Sequence, residues 1–352
     1  MREIFLKIKE QLASQLPFAV YSKPGSEQIT AVFQKDNATH ELTDYTHKGF
    51  VFAPFSGESV FIPFDAATIV TVTIEDGGFK KLQPKSFDID KVAKADFEAL
   101  VAKSVDAINS GQFKKLVVSR TEAVTVECTD VTEIYEKLLY TYPTAFRYCF
   151  YSPQSGLWMG ATPEQLLKVE NNTVHTVALA GTQLFNEEQE AVWEAKEREE
   201  QQFVTDYILK ELRGHAGDIV ITEPYTFRAG NIVHIKTDIS AALKQGENLQ
   251  DVINTLHPTP AVCGLPKAYA KAFLLANEGY DREFYSGYLG ELNADSAAGA
   301  PKTDLFVNLR CMKIAGNFAN LYIGCGITKD SNPEKEFFET VTKSMTMRKI
   351  IS

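Results

Sequence analysis

The stretch Leu321 to Lys343, LYIGCGITKDSNPEKEFFETVTK, constrains the fold more than any other part of this 352-residue chain. Its apolar, β-prone start carries two glycines two residues apart, Gly324 and Gly326. Side chains alternate along a strand, so both glycines fall on one face and leave it bare to a ligand. Asp330-Ser331-Asn332 reads as a turn, and Pro333 suits the first position of a helix capped by Asn332. On that helix Glu336, Glu339 and Lys343, spaced three and four apart, share one face. Two carboxylates and an ammonium beside a bare strand suit a site for Mg²⁺ and an anionic small molecule. The same spacing also describes a solvated helix with an i,i+4 Glu–Lys pair.

Charge narrows the partners. A net charge of -10 argues against nucleic acid, whose phosphates need an excess of Lys and Arg. Any anionic substrate must therefore be drawn by a local cluster of positive charge. Hydrophobic content of 44% with 23% charged residues is ordinary for a soluble globular enzyme. Cys128, Cys149, Cys263, Cys311 and Cys325 are odd in number and scattered, as expected of reduced thiols in a cytoplasmic protein. No apolar run approaches the ~18 residues of a membrane span, so no membrane partner is expected. The start, MREIFLKIKEQLASQL, reads as an amphipathic docking helix instead of a signal peptide.

Residues 18 to 75 read as short strands with Gly, Pro and Asp punctuation: AVYS, AVFQ, FVFAPF, SVFIPF and TIVTVTI. Asp76 to Asp90 reads as a polar connection. Helices are expected over Asp96 to Asn109, ended by Gly111, and near Val131 to Tyr140. A long charged helix is expected over roughly Glu187 to Arg213, and a shorter one near Lys267 to Asn277. Between them lie strands such as KLVVSR, FRYCFYS, GLWMGA, TVHTVALAG, FVNLRCMKI and ANLYIGCGI. Strands come in hairpin-like groups and not as βαβ units, which favours an α+β architecture of antiparallel sheets flanked by helices.

Several residues stand out chemically. Lys115 lies on an apolar β-branched strand, where its charge must be matched or removed. Removal makes a general base, and a pKa near 7 takes roughly 4 kcal/mol of environment; alternatively the lysine simply ends the strand at the surface. Thr162-Pro163-Glu164 could open a helical turn capped by Thr162, or place Glu164 as an acid. Glu197 and Glu200 lie in line with the apolar stripe of Val204, Tyr207 and Ile208, and could complete a ligand set begun by Glu336 and Glu339. Arg310 could fork onto a carboxylate or serve as a structural partner. The loop His257-Pro258-Thr259-Pro260-Ala261 can be neither helix nor central strand, and rigid loops of that kind shape pockets.

Taken in order, KLVVSR, GATPEQLL, ALAGT, KEREEQ, LHPTPAVCGLPK, DREFYSGYLG, FVNLR and IGCGITKDSNPEKEFFETVTK resemble the chorismate-utilising enzymes. That family holds isochorismate, salicylate, anthranilate and aminodeoxychorismate synthases. The resemblance covers about residues 95 to 350, with residues 1 to 90 a divergent β-rich part of one unit spanning 1–352. It implies an anthranilate synthase component I-like α+β fold, Mg²⁺ dependence and chorismate as substrate. By the same resemblance Glu200, Glu336 and Glu339 are metal ligands, with Glu197 nearby. Tyr285 and Arg310 hold the enolpyruvyl carboxylate, while Gly324, Gly326 and Lys343 lie near the ring carboxylate. Thr182 and Ala261 also contact substrate, Lys115 is the general base, and Glu164 is the general acid.

Lysine at position 115 favours water over ammonia as nucleophile, because ammonia needs no base. The loop LHPTPA resembles that of isochorismate synthases, whereas salicylate and amine-adding members tend to have a different, Thr-containing loop there. By this resemblance Ala261 implies stopping at isochorismate without losing pyruvate. The expectation is thus an isomerase that adds water at ring C2 as the C4 hydroxyl leaves, serving menaquinone or siderophore synthesis. A monomer or weak dimer without a glutaminase subunit is expected. Salicylate formation, amine addition and an inactive chorismate-binding protein are the alternatives. Two departures stand out: Gln201 where the family commonly has His, and Gln183 where Arg is frequent.

Overall fold

The computed structural model describes the chain except residues 76–81, 83, 84, 86, 128, 188, 230, 231, 296–301 and 352. Cys128 and much of the expected connection from Asp76 to Asp90 therefore lie outside the described residues. The N-terminal part holds helix α1 (Arg2–Ala13) and strands β1 (Phe18–Ser22), β2 (Gln28–Gln34), β3 (Gly49–Ala53), β4 (Val60–Pro63) and β5 (Ala67–Thr73). Next come α2 (Lys91–Asn109), β6 (Lys115–Thr125), α3 (Val131–Thr141), β7 (Phe146–Ser152), β8 (Gly156–Thr162), β9 (Gln165–Glu170) and β10 (Thr173–Leu184). Helix α4 (Ala195–His215) leads to β11 (Ala216–Ile221), β12 (Tyr225–Ala229), β13 (Ile232–Leu243), α5 (Leu249–Leu256), β14 (Gly264–Leu265) and α6 (Lys267–Asn277). The chain closes with β15 (Tyr288–Leu292), β16 (Thr303–Val307), β17 (Cys311–Ala315), β18 (Phe318–Ile327) and α7 (Pro333–Ile351).

The strands form two large antiparallel sheets, so the α+β expectation holds. One runs β14-β6-β18-β17-β8-β7-β1-β2-β5; the other runs β11-β13-β10-β9-β16-β15-β3-β4, with β12 beside β13. The N-terminal strands contribute to both: β1, β2 and β5 to the first, β3 and β4 to the second. Aromatic side chains from both sheets, among them Tyr21, Phe50, Phe52, Phe146, Trp158 and Phe306, pack in one buried cluster. Phe52 stacks on Phe284 at 4.3 Å and Phe146 on Phe306 at 4.3 Å, geometries that add to the area buried. Helix α4 lays Val204, Ile208 and Leu212 against Val174, Ala178 and Ile239 of the second sheet. Residues of α2 and α7, Phe97, Val101 and Phe337, cover β6 and β18 of the first.

Local chemistry explains where elements depart from expectation. Helix α2 starts at Lys91, five residues early, because the Asp90 carboxylate accepts from the N–H groups of Val92 and Ala93. Helix α4 starts at Ala195 and not near Glu187; the Glu194 N–H donates to Glu197 Oε2 at 3.0 Å, a reciprocal capping arrangement that fixes the first turn. The short helix α5, capped by Asn248, was not anticipated. Thr162-Pro163-Glu164 opens no helix: the Thr162 hydroxyl donates to Val307 O at 2.6 Å, and β9 begins at Gln165. Four described cysteines are buried free thiols. Among the described residues no helix is long and apolar enough to cross a membrane.

Candidate active site

The site forms where β6 and β18 meet α4, α7 and the end of β10. Strand β18 pairs with β6 so that Gly324 faces Ser119 and Gly326 faces Val117. Both glycines are required by what stands over them. A Cβ on Gly324 would lie 2.7 Å from the Tyr285 hydroxyl, and one on Gly326 would collide with Glu200 Oε1. The bare strand face is therefore filled by functional side chains of other elements.

Helix α7 is capped as its sequence implies, the Lys335 N–H donating to Asn332 Oδ1 at 3.1 Å. That cap turns Glu336, Glu339 and Lys343 towards β18. Lys343 Nζ donates to Gly324 O at 3.0 Å and pairs with Glu339 at 2.6 Å. Glu336, only 2% exposed, pairs with Lys196 of α4 at 2.7 Å. Burial raises the Glu336 pKa, Glu339 adds to the rise, and Lys196 opposes it. Lys115 is completely buried, and Glu200 Oε1 lies 2.9 Å from its ammonium, off the line of a hydrogen bond, so the contact is ionic. Its charge is matched by a partner, one of the two outcomes open to a lysine on such a strand. Burial works against the Glu200 carboxylate, but Lys115 overcomes it and the pKa is lowered.

One cavity of about 730 Å³ gathers Glu164, Thr182, Glu200, Ala261, Tyr285, Arg310, Gly324, Gly326, Glu339 and Lys343. Three of the residues singled out from the sequence do not line it. Lys115 stands immediately behind, its Cε 3.4 Å from where a Gly326 Cβ would sit. Glu336 is turned to Lys196, and Glu197 is engaged in the α4 cap. Glu164 is 7% exposed, and burial pushes its carboxyl up to about 7, against the pull of Lys115, Arg310 and Lys343. A carboxyl of that kind is half protonated at neutral pH and can donate a proton. Arg310 occupies the bend between β16 and β17 with φ of 47°, and burial lowers its pKa. No acidic side chain pairs with it among the described residues.

Two residues went unnoticed in the sequence. Lys196 sits in a charge run, EAKEREEQQ, where nothing separates it from solvated neighbours. His234 lines the cavity, and burial, with Arg310 next, lowers its pKa to about 3. The neutral ring places its hydrogen on Nδ1, 2.7 Å from Gly181 O, so the buried Nε2 carries a lone pair. That nitrogen has no partner among the described residues. Strand alternation groups His234 with Lys236 and Asp238, a pattern that reads as a solvent face. The two departures serve structure. Gln201 donates to Thr205 and Thr237 at 2.9 Å, tying α4 to β13, and Gln183 donates to Val192 O at 2.8 Å.

Carboxylates facing ammonium groups, around a cavity with a spare guanidinium, define a site for a small polyanion. Residues 71–352 match the family described as chorismate binding enzyme, and the chain belongs to that family. It is 29% identical over 274 residues to the salicylate biosynthesis isochorismate synthase of Pseudomonas aeruginosa, covering 75% of this chain and 56% of that protein. It is also 29% identical over 273 residues to anthranilate synthase component 1 of Streptomyces coelicolor, covering 73% of this chain and 51% of that one. The chain thus spans little more than half the length of these two relatives. A crystal structure described as that of a putative 2,3-dihydroxybenzoate-specific isochorismate synthase, DhbC, from Bacillus anthracis shares the fold. The TM-score is 0.79 at 21% identity, over 99% of both chains.

Proposed function

We propose that the protein is an isochorismate synthase. The observation that carries this reading is a buried lysine just behind one cavity and a carboxyl of pKa about 7 on its wall, with Arg310 and Lys343 also lining it. In the proposed reaction Lys115, acting as the neutral amine, takes a proton from water as its oxygen bonds to ring C2. The ring double bonds shift, the C4–O bond breaks, and Glu164 gives its proton to the departing hydroxyl. One water is consumed and one released, so the change is an isomerisation. Arg310 with Tyr285, and Lys343 beside the backbone of Gly324 and Gly326, would orient the two carboxylates, an electrostatic contribution of the same order as proton transfer.

Mg²⁺ fits the donors by chemistry, since Glu200, Glu336 and Glu339 offer only hard oxygen atoms. Among the described residues no three such side chains are gathered around one point, and each carboxylate is paired with a lysine. The fit is therefore to an ion that takes one or two carboxylates and completes its shell with water and substrate oxygens. When bound, that ion would supply positive charge to the substrate's ring carboxylate. Incubation with chorismate and Mg²⁺, with and without ammonium, followed by product identification by mass, tests the assignment. Isochorismate without pyruvate supports it, and salicylate with pyruvate refutes it. The equal identity to an anthranilate synthase component favours amine addition as the second reading, and a product seen only with ammonium would establish it. We place the product in menaquinone or siderophore synthesis; rescue of a strain deficient in one or the other separates the two.

A further inference from the structure

A second cavity, of about 920 Å³, adjoins the first and shares Pro163, Arg310 and Lys343 with it. The two differ in reach. None of the residues lining the inner cavity is exposed, whereas Thr144, Leu184 and Thr342 on the outer one are, Leu184 to 68%. One flank of the outer cavity is helical: Thr342, Met345, Thr346 and Lys349 recur at three- and four-residue spacing along α7. Glu339 and Lys343 form the neighbouring stripe of the same helix and face the inner cavity. Arg310, Lys343 and Lys349 line the outer cavity, and no Asp or Glu does so among the described residues.

We propose that the outer cavity is the route by which substrate reaches the inner one, with Lys349 steering the anion inward. A chain of net charge -10 repels a dianion at long range, so approach depends on a local stretch of the opposite sign. Lys349 lines the outer cavity alone, while Arg310 and Lys343, the latter paired with Glu339, line both. Apolar walls at Ala145, Ala161 and Ile232 lower the local dielectric and strengthen the pull of these charges. The inference rests on the reading of the site as one for chorismate.

The test measures chorismate association by stopped-flow quenching of tryptophan fluorescence, since Trp158 stacks on Tyr322 of the inner cavity at 5.0 Å. Steady-state turnover is followed in parallel. In Lys349→Glu the association rate and kcat/KM should fall about tenfold at low ionic strength, and the difference should fade as salt is added, with kcat unchanged. Thr342→Trp, which narrows the mouth without altering charge, should slow association at all salt concentrations. Wild-type association in both variants overturns the route, as does calorimetry showing a second chorismate held in the outer cavity. Absence of any chorismate signal from the unaltered protein would remove the substrate reading and the route with it. Turnover of the unaltered protein together with unaffected variants would remove the route alone.

Discussion

The two sides of the site, the cavity lining together with the side chains packed directly behind it, hold charge in opposite ways. On the wall built by α4, α7, β6 and β18, every carboxylate has its own ammonium: Glu200 with Lys115, Glu336 with Lys196, Glu339 with Lys343. On the facing wall, Glu164, His234 and Arg310 have no ionic partner among the described residues. Burial there outweighs the opposing charges, pushing Glu164 up to about 7 and His234 down to about 3. The first wall is neutralised in advance and suited to binding. The second is left near the point where protons change hands. Lys115 belongs to the first wall by contact and, in the proposed mechanism, to the second by role.

That double membership makes Lys115 the sharpest way to break the comparison. Lys115→Ala should lower turnover by about 10⁴-fold, the upper end for a lost general base. Chorismate binding, followed by calorimetry, should persist, and turnover near the wild-type rate would return Lys115 to a purely structural role. Glu164→Gln comes next, with a loss of about 10³-fold. In the unaltered protein the rate should fall as pH rises through about 7, where Glu164 loses its proton. A falling limb that survives in the glutamine variant would belong to another group.

Gly326→Ala tests the paired wall by geometry alone. The added Cβ collides with Glu200 Oε1, so Glu200 must turn away from Lys115. Chorismate affinity and turnover should each drop by roughly tenfold, about 1.4 kcal/mol. Gly217→Ala on strand β11 meets nothing within 4 Å and should leave both unchanged. Equal behaviour of the two variants would deny that the glycine face matters.

The paired wall was largely legible in the sequence because its signals are local. Alternation, the Asn332 cap and the spacing of Glu336, Glu339 and Lys343 all act within a few residues. What escaped is what depends on distant partners. Lys196 is distinguished from its charged neighbours only by Glu336, 140 residues on. His234 lies on the polar side of its strand, and it is buried because the cavity closes over it. The N-terminal strands were readable one by one, yet nothing local tells that β1, β2 and β5 join one sheet while β3 and β4 join the other. Such pairings are fixed by packing across the whole chain.

Glu336→Gln asks whether the neutralised wall serves a metal. The substitution keeps the shape, removes one hard anionic donor and leaves the Lys196 ammonium without its counter-charge. The Mg²⁺ concentration for half-maximal turnover should rise by about tenfold. An unchanged titration would take Glu336 out of the ligand set.

The last test separates the walls by pH and reads stability instead of turnover. His234 and His257 are both buried, and burial brings each pKa down to about 3 from an ordinary 6.5. The unfolded chain takes up protons at these histidines below about 6.5, while the folded chain takes none until about 3. Their contribution to stability is therefore complete above about 6.5 and lost as pH falls towards 3. The slope is about 1.4 kcal/mol per pH unit for each histidine. Glu164 acts in the opposite sense: its raised pKa favours folding below 4.5, and that contribution fades as pH rises to about 7. Urea midpoints of the His234→Gln variant between pH 6.5 and 4.5 should fall less steeply than those of the unaltered protein. Parallel curves would show that the ring is protonated at no cost in the folded state, and that the unpaired wall is better hydrated than its burial implies.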